Sequence, residues 1–182
     1  MAMIREEREL KLTYQAKEST RCPICDTRFN REELLSGGGR LIAGPLTDEL
    51  HRLYEPSAKY GEVYPLLYQP TVCPSCWFAS LDADFPNLPA KFKDDVMEDH
   101  EALVADVEKI FPSIDFSVPR GLHEGAAANY LALRCYHFYP KDFNPTLKGG
   151  ICALRTGWIF DIMHQKEGEE NWDWLSTLFK QK

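Results

Sequence analysis

Two Cys-Pro-x-Cys pairs stand out among the residues able to do chemistry: Cys22-Pro23-Ile24-Cys25 and Cys73-Pro74-Ser75-Cys76. Each pair can turn two thiolates toward one tetrahedral metal ion, and the two together complete a four-sulfur shell. A closed shell of this kind leaves no position for water or substrate, so the expectation is structural Zn2+ held by Cys22, Cys25, Cys73 and Cys76. The proline after each first cysteine fixes one φ angle of the turn. The residue after each second cysteine often needs positive φ, a place that suits glycine. Here it is Asp26 in one turn and Trp77 in the other. Aspartate tolerates that conformation and tryptophan resists it, so the second turn is expected to differ in geometry. Iron suits the same thiolates, and nothing in the sequence selects it.

The competing chemistries are weaker. A thioredoxin-like dithiol would place one CxxC beside a βαβ pattern, and no such pattern is visible. Cys135 and Cys152 sit in apolar helical stretches, where a free cysteine acts as a small hydrophobe. The histidines are scattered, and His51, the one between the two cysteine pairs, is a spare ligand candidate. His100-Glu101 and His123-Glu124 lack the second histidine of a zinc-protease helix, with Val104 and Ala127 in its place. Gly37-Gly38-Gly39-Arg40 lacks the GK[ST] ending of a phosphate loop and reads as a plain loop, and no Gly-x-Ser-x-Gly elbow occurs. No catalytic residue is assigned. A metalloenzyme would need an open coordination position, with His51 or water replacing a cysteine.

The elements that must carry these residues follow from pattern. Residues 9–15 alternate apolar and polar and suggest a strand leading into the first pair. Residues 64–72 mix aromatic and β-branched residues with Pro65 and Pro70, which suits an edge strand or extended segment. Between the pairs lie 47 residues, far more than the roughly 15 to 20 of a compact zinc ribbon. Within this insert, Thr47 followed by Leu50, Leu53 and Tyr54 predicts a short helix over 47–54. Beyond Cys76 the spacing becomes helical: about 89–110, stopped by Phe111-Pro112; about 122–139, stopped by Pro140; about 147–165; and a last helix from Glu170. Ala127, Ala128, Ala132, Gly150, Ala153 and Gly157 permit close contacts between antiparallel neighbours, the unit of helical repeats. Most of the aromatics of the helical half, among them Tyr130, Tyr136, Trp158 and Phe160, are expected in the core.

Composition narrows the partners. The 182 residues carry 28 acidic against 21 basic side chains, a formal charge of −7, which disfavours phosphate binding. Arg21, Arg28, Arg31, Arg40 and Arg52 keep a nucleic-acid-associated ribbon as the second reading. The acidic runs at Glu6-Glu7, 94–99 and 167–170 read as solvated helix faces or ends. MAMIREEREL lacks the apolar stretch of a signal peptide, and no run approaches the roughly 18 apolar residues of a membrane span, so a cytoplasmic protein is expected. In a reducing compartment disulfides would not persist, so cysteines paired at short spacing read as metal ligands or redox groups.

The order of these features resembles the bacterial domain of unknown function family 2225. The resemblance is carried by Cys22–Cys25, YPLLYQPTVCPSCWFA over 64–79, AAANYLALRCY over 126–136 and LRTGWI over 154–159. It implies a zinc-ribbon-like module followed by helices similar to tetratricopeptide repeats, metal ligation by the same four cysteines, and no assigned reaction. Asp26 and Trp77 depart from the glycines usual there, and Gly157 from the usual alanine. Related chains tend to continue with more helix, so Lys182 is read as the boundary of a longer protein or the end of a shortened member, and Ala2-Met3 as a cloning remnant.

The expectation is therefore an α+β fold, mainly α. Residues 1–80 would form a zinc-ribbon-like module with short strands and a long insert, and residues 81–182 antiparallel helical hairpins of tetratricopeptide-like kind. Its function would be that of a scaffold binding a protein partner or a second copy of itself, because an incomplete helical stack leaves an apolar end.

Overall fold

The computed structural model describes residues 11–181. Both cysteine pairs sit in the loops of short antiparallel hairpins built to the same plan. Strand β1 (Thr13–Arg21) runs into Cys22, and β2 (Arg28–Leu34) returns, with Arg21 opposite Arg28. Strand β5 (Pro70–Val72) runs into Cys73, and β6 (Ala79–Leu81) returns, with Val72 opposite Ala79. The strand expected over 9–15 thus begins, within the described residues, at Thr13; Glu9 and Leu10 lie outside them. The extended segment expected over 64–72 is extended only at its end. Pro65–Tyr68 form a 3-10 turn with Pro65 at its start, where a missing N–H and a preset φ are harmless.

The insert is a third hairpin, and here the sequence expectation is corrected. No helix forms over 47–54. Strands β3 (Ile42–Leu46) and β4 (Arg52–Glu55) pair instead, joined by a turn at Thr47–His51. Thr47 Oγ1 accepts the His51 N–H at 3.1 Å, the Thr47 N–H donates to the His51 carbonyl at 2.9 Å, and Leu50 takes φ 63°. A threonine hydroxyl can cap a helix or close a turn with equal ease, and cross-strand pairing decided between them.

The rest of the chain is mainly helical. The helix expected over 89–110 is broken into a 3-10 turn, α1 (Lys93–Glu98) and α2 (His100–Glu108). The break is at Asp99, whose ψ of −1° tightens the turn while its carboxylate faces Arg134 at 3.8 Å. Helix α3 (Leu122–Cys135) ends one turn before expectation, and Tyr136–Phe138 continue as a 3-10 turn. Glu124 accepts the Gly121 N–H at 2.9 Å and so caps its start. Helices α4 (Pro145–Glu167) and α5 (Glu170–Lys180) are joined through Gly168 at φ 73°, a left-handed close to α4. In the acidic run at 94–99, Asp94, Asp95 and Glu98 are exposed and Asp99 is half-buried; the run at 167–170 is exposed, and Glu6-Glu7 lies outside the described residues.

The last three helices pack antiparallel. The start of α3 meets the end of α4 through His123 and Glu167 at 2.9 Å, and Ser176 and Lys180 of α5 both bond Asp161 of α4. Gly157 permits the second contact, since a Cβ there would lie 2.8 Å from Lys180 Cγ and 3.2 Å from the Ser176 carbonyl oxygen. Gly150, expected at such a contact, faces open space.

One buried cluster joins hairpins to helices: Cys22, Ile24, Phe78, Ala79 and Phe85 continue into Leu103, Val107, Phe111, Leu131, Cys135, Phe160 and Met163. It crosses residues 80 and 81 without interruption. A polar staple reinforces the junction. Asp84 accepts from Tyr136 at 2.7 Å and from Lys148 at 2.6 Å, while the Tyr139 hydroxyl bonds Ser80 at 2.9 Å. The tip of the β3–β4 hairpin docks on α4 and α5: Glu49 accepts from the Trp158 indole at 2.7 Å and pairs with Lys180 at 3.1 Å.

Candidate metal centre

The two cysteine loops adopt one geometry. In the first, the Cys22 N–H donates to the Thr27 carbonyl at 2.9 Å and the Asp26 N–H to the Cys22 carbonyl at 3.1 Å. In the second, the Cys73 N–H donates to the Phe78 carbonyl at 2.9 Å and the Trp77 N–H to the Cys73 carbonyl at 2.9 Å. Asp26 and Trp77 both occupy the left-handed region, at φ 61° and 56°. The expectation that Trp77 would impose a different turn is therefore corrected. The loop needs positive φ at that position whatever residue fills it, and packing compensates: the Trp77 ring meets Phe116 edge-on, centroids 5.4 Å apart.

These turns bring Cys22, Cys25, Cys73 and Cys76 together with all four sulfurs within 4.8 Å of one another. Cys22 Sγ lies 3.6 Å from Cys76 Sγ, and Cys25 Sγ lies 3.6 Å from Cys73 Sγ. A tetrahedral ion with sulfurs at ~2.3 Å needs sulfur separations of about 3.8 Å, so the donor set fits such an ion in number, softness and spacing. Cys22 and Cys73 are fully buried, Cys76 nearly so, and Cys25 half-buried. Close-packed sulfurs cannot all ionise alone. Hydrogen bonding with Cys22 and then Cys76 holds the Cys73 thiol far down, while the Cys73 contact pushes Cys22 up and the Cys22 contact pushes Cys76 up. A bound cation would replace the protons that Cys22 and Cys76 otherwise keep.

Polar contacts to the sulfurs orient the ligands. The Ile24 N–H donates to Cys22 Sγ at 3.4 Å, and Cys25 Sγ meets Thr27 Oγ1 at 3.2 Å. Outside the loop, Asp26 pairs with Arg21 at 3.1 Å and Lys93 at 3.8 Å. Thr27 and Phe116 escaped sequence reasoning. Thr27 had a signal, two positions past a ligand, whereas Phe116 had none.

The remaining sequence candidates lie elsewhere. His51 stacks on Trp158, ring centroids 4.4 Å apart and planes 4° from parallel, and does not belong to the four-residue cluster. Cys135 and Cys152 are fully buried in the helical core, and burial pushes each thiol up to about 12. Cys135 Sγ accepts the Ala79 N–H at 3.5 Å, a contact from α3 to the second hairpin.

Comparison with known proteins places the chain. A family described as an uncharacterized protein conserved in bacteria, DUF2225, matches residues 15–176. The chain belongs to DUF2225. That stretch holds all four clustered cysteines and ends inside α5. An uncharacterized protein of Borreliella burgdorferi (strain ATCC 35210 / DSM 4680 / CIP 102532 / B31) is 38% identical over 173 residues, covering 94% of this chain and 62% of the relative. The chain thus spans under two thirds of that relative's length. No solved structure matches. Among the described residues, no helix of this DUF2225 chain is long and apolar enough to cross a membrane.

Proposed function

We propose that this DUF2225 chain is a cytoplasmic zinc-stabilised scaffold whose helical region, similar in plan to tetratricopeptide hairpins, binds a protein partner or a second copy of itself. In this reading residues 1–80 form the metal module, residues 81–182 present the binding surface, and the ion is structural. The four-sulfur donor set supports the last point, because a complete thiolate shell offers no position for substrate.

The observation that carries the interaction reading is the outer face of α5. Trp174 is 65% exposed and Leu178, one turn on, is 39% exposed, although the opposite face buries Trp172, Ser176 and Phe179. Tryptophan is enriched among the residues that dominate protein interfaces, and here it stands beside a second exposed apolar side chain. Sedimentation and co-purification should show wild type associating through this face, and Trp174→Ser with Leu178→Ser should abolish the association without changing the melting curve. A wild-type chain that is monomeric and retains no partner, or a variant that associates as wild type does, overturns the reading.

A further inference from the structure

Two of the close sulfur contacts run between the hairpins. Cys22 with Cys76 and Cys25 with Cys73, each at 3.6 Å, both join a sulfur of the first hairpin to a sulfur of the second. A disulfide needs ~2.05 Å between sulfurs, so either pair closes by drawing its two sulfurs about 1.5 Å together. Access is uneven as well. Cys22, Cys73 and Cys76 are buried and Cys25 is half-buried, so an oxidant arriving from solvent meets Cys25 first.

We propose that the cluster is a redox-reversible clamp, in which hydrogen peroxide oxidises Cys25, Cys73 closes a cross-hairpin disulfide, and the metal leaves while the two hairpins stay joined. This rests on the zinc reading above. The Cys25 thiolate attacks one peroxide oxygen, the O–O bond breaks, and Cys25 becomes a sulfenic acid as hydroxide departs. The Cys73 thiolate then attacks the Cys25 sulfur, forming the S–S bond and expelling a second hydroxide. The two sulfurs lose two electrons and the peroxide gains them. Cys22 and Cys76 can consume a second peroxide in the same way. After the first disulfide the ion has only two thiolates left, too few to hold it tightly.

The geometry separates this outcome from simple oxidative damage. Disulfides within a pair, Cys22 with Cys25 or Cys73 with Cys76, would cut the tie between the hairpins. Cross-hairpin disulfides keep it covalently, so the core around Ile24, Phe78 and Cys135 need not open. A strong general thiol oxidant would attack Cys135 and Cys152 too, but their complete burial shields them while the fold persists.

The test uses the full chain purified in reductant, with its metal content measured first. Hydrogen peroxide is added beside a chromogenic zinc indicator, and the product is digested with trypsin without reduction. The expected result is release of the bound zinc in step with thiol loss, fragments 22–28 and 60–91 linked to each other, Cys135 and Cys152 remaining free, an unchanged far-UV spectrum, and recovery of zinc binding after dithiothreitol. Zinc that stays bound under peroxide while a mercurial thiol reagent releases it overturns the proposal and spares the zinc reading. Links confined within each fragment, or unfolding on oxidation, overturn it as well. A chain holding no metal at purification overturns the zinc reading itself, and this proposal with it.

Discussion

Asp26 and Trp77 hold the same place in two separate loops. Each follows its second cysteine, each donates its N–H to the carbonyl of its first, and each takes positive φ, 61° and 56°. Aspartate is among the few residues that enter this region readily, and tryptophan is not. The edge-on contact with Phe116 is what Trp77 gains in return.

That balance gives an ordered set of variants. Trp77→Ala keeps the backbone strain and removes the Phe116 contact, so it should be the least stable. Trp77→Gly loses the same contact without the strain and should exceed Trp77→Ala by about 1 kcal/mol. Asp26→Gly should lie within about 1 kcal/mol of wild type. Chemical denaturation of the three proteins measures the order, and equal stability of the alanine and glycine variants would contradict it.

Metal removal is expected to reach the helices. Cys22, Cys73 and Cys76 share one buried cluster with Leu131, Cys135 and Phe160, and Ala79 bonds Cys135 directly. A chelator should therefore lower the melting temperature of a single transition, with the Trp77 environment and the helical signal changing together. A helical signal that melts as before, after the near-ultraviolet spectrum has changed, would show two independent units.

His51 gives the fold a pH dependence of known sign. Burial against Trp158 holds its pKa below the ordinary 6.5, outweighing the carboxylates of Asp161 and Glu49. The unfolded chain therefore takes up its proton first as pH falls, and stability declines from about 6.5 down to the lower folded value. Above 6.5 both states are neutral and this contribution is flat. His51→Phe, which preserves the ring stack, should remove the decline between pH 7 and 5 when melting temperature is followed. An unchanged slope in that variant would place the titration elsewhere.

Gly125 is held by close approach rather than by its backbone angle. A Cβ there would lie 2.8 Å from Leu67 Cβ, at the point where α3 meets the turn leading into the second cysteine hairpin. Gly125→Ala should destabilise by about 1–3 kcal/mol, the usual range for overpacking, despite alanine's better helix propensity. Gly150→Ala, in open space on the helix surface, should instead stabilise by roughly 0.5–1 kcal/mol. The pair of denaturation midpoints decides whether packing or propensity governs these glycines.

The cysteine pairs and the helical half were legible because their signals are local. A CxxC motif carries its turn within four residues, and the apolar spacing of α3, α4 and α5 repeats along each helix. The insert was misread for the opposite reason. Thr47 offers the same hydroxyl to a helix cap and to a hairpin turn, and the pairing of Ile42 with Glu55 that selects the turn spans the loop. The break at Asp99 was equally hidden, since the Arg134 it faces lies on another helix.

By itself, the sequence determined the donor set, four thiolates in two turns, together with the helical character of the second half, because both depend on residues adjacent along the chain. Tertiary structure alone decided that the two loops face one another at 3.6 Å, that Trp77 accepts a left-handed backbone against Phe116, and that His51 stacks on Trp158 instead of joining the sulfurs. Each of those depends on surfaces brought together from distant segments, where burial and packing outweigh the preference of any single residue.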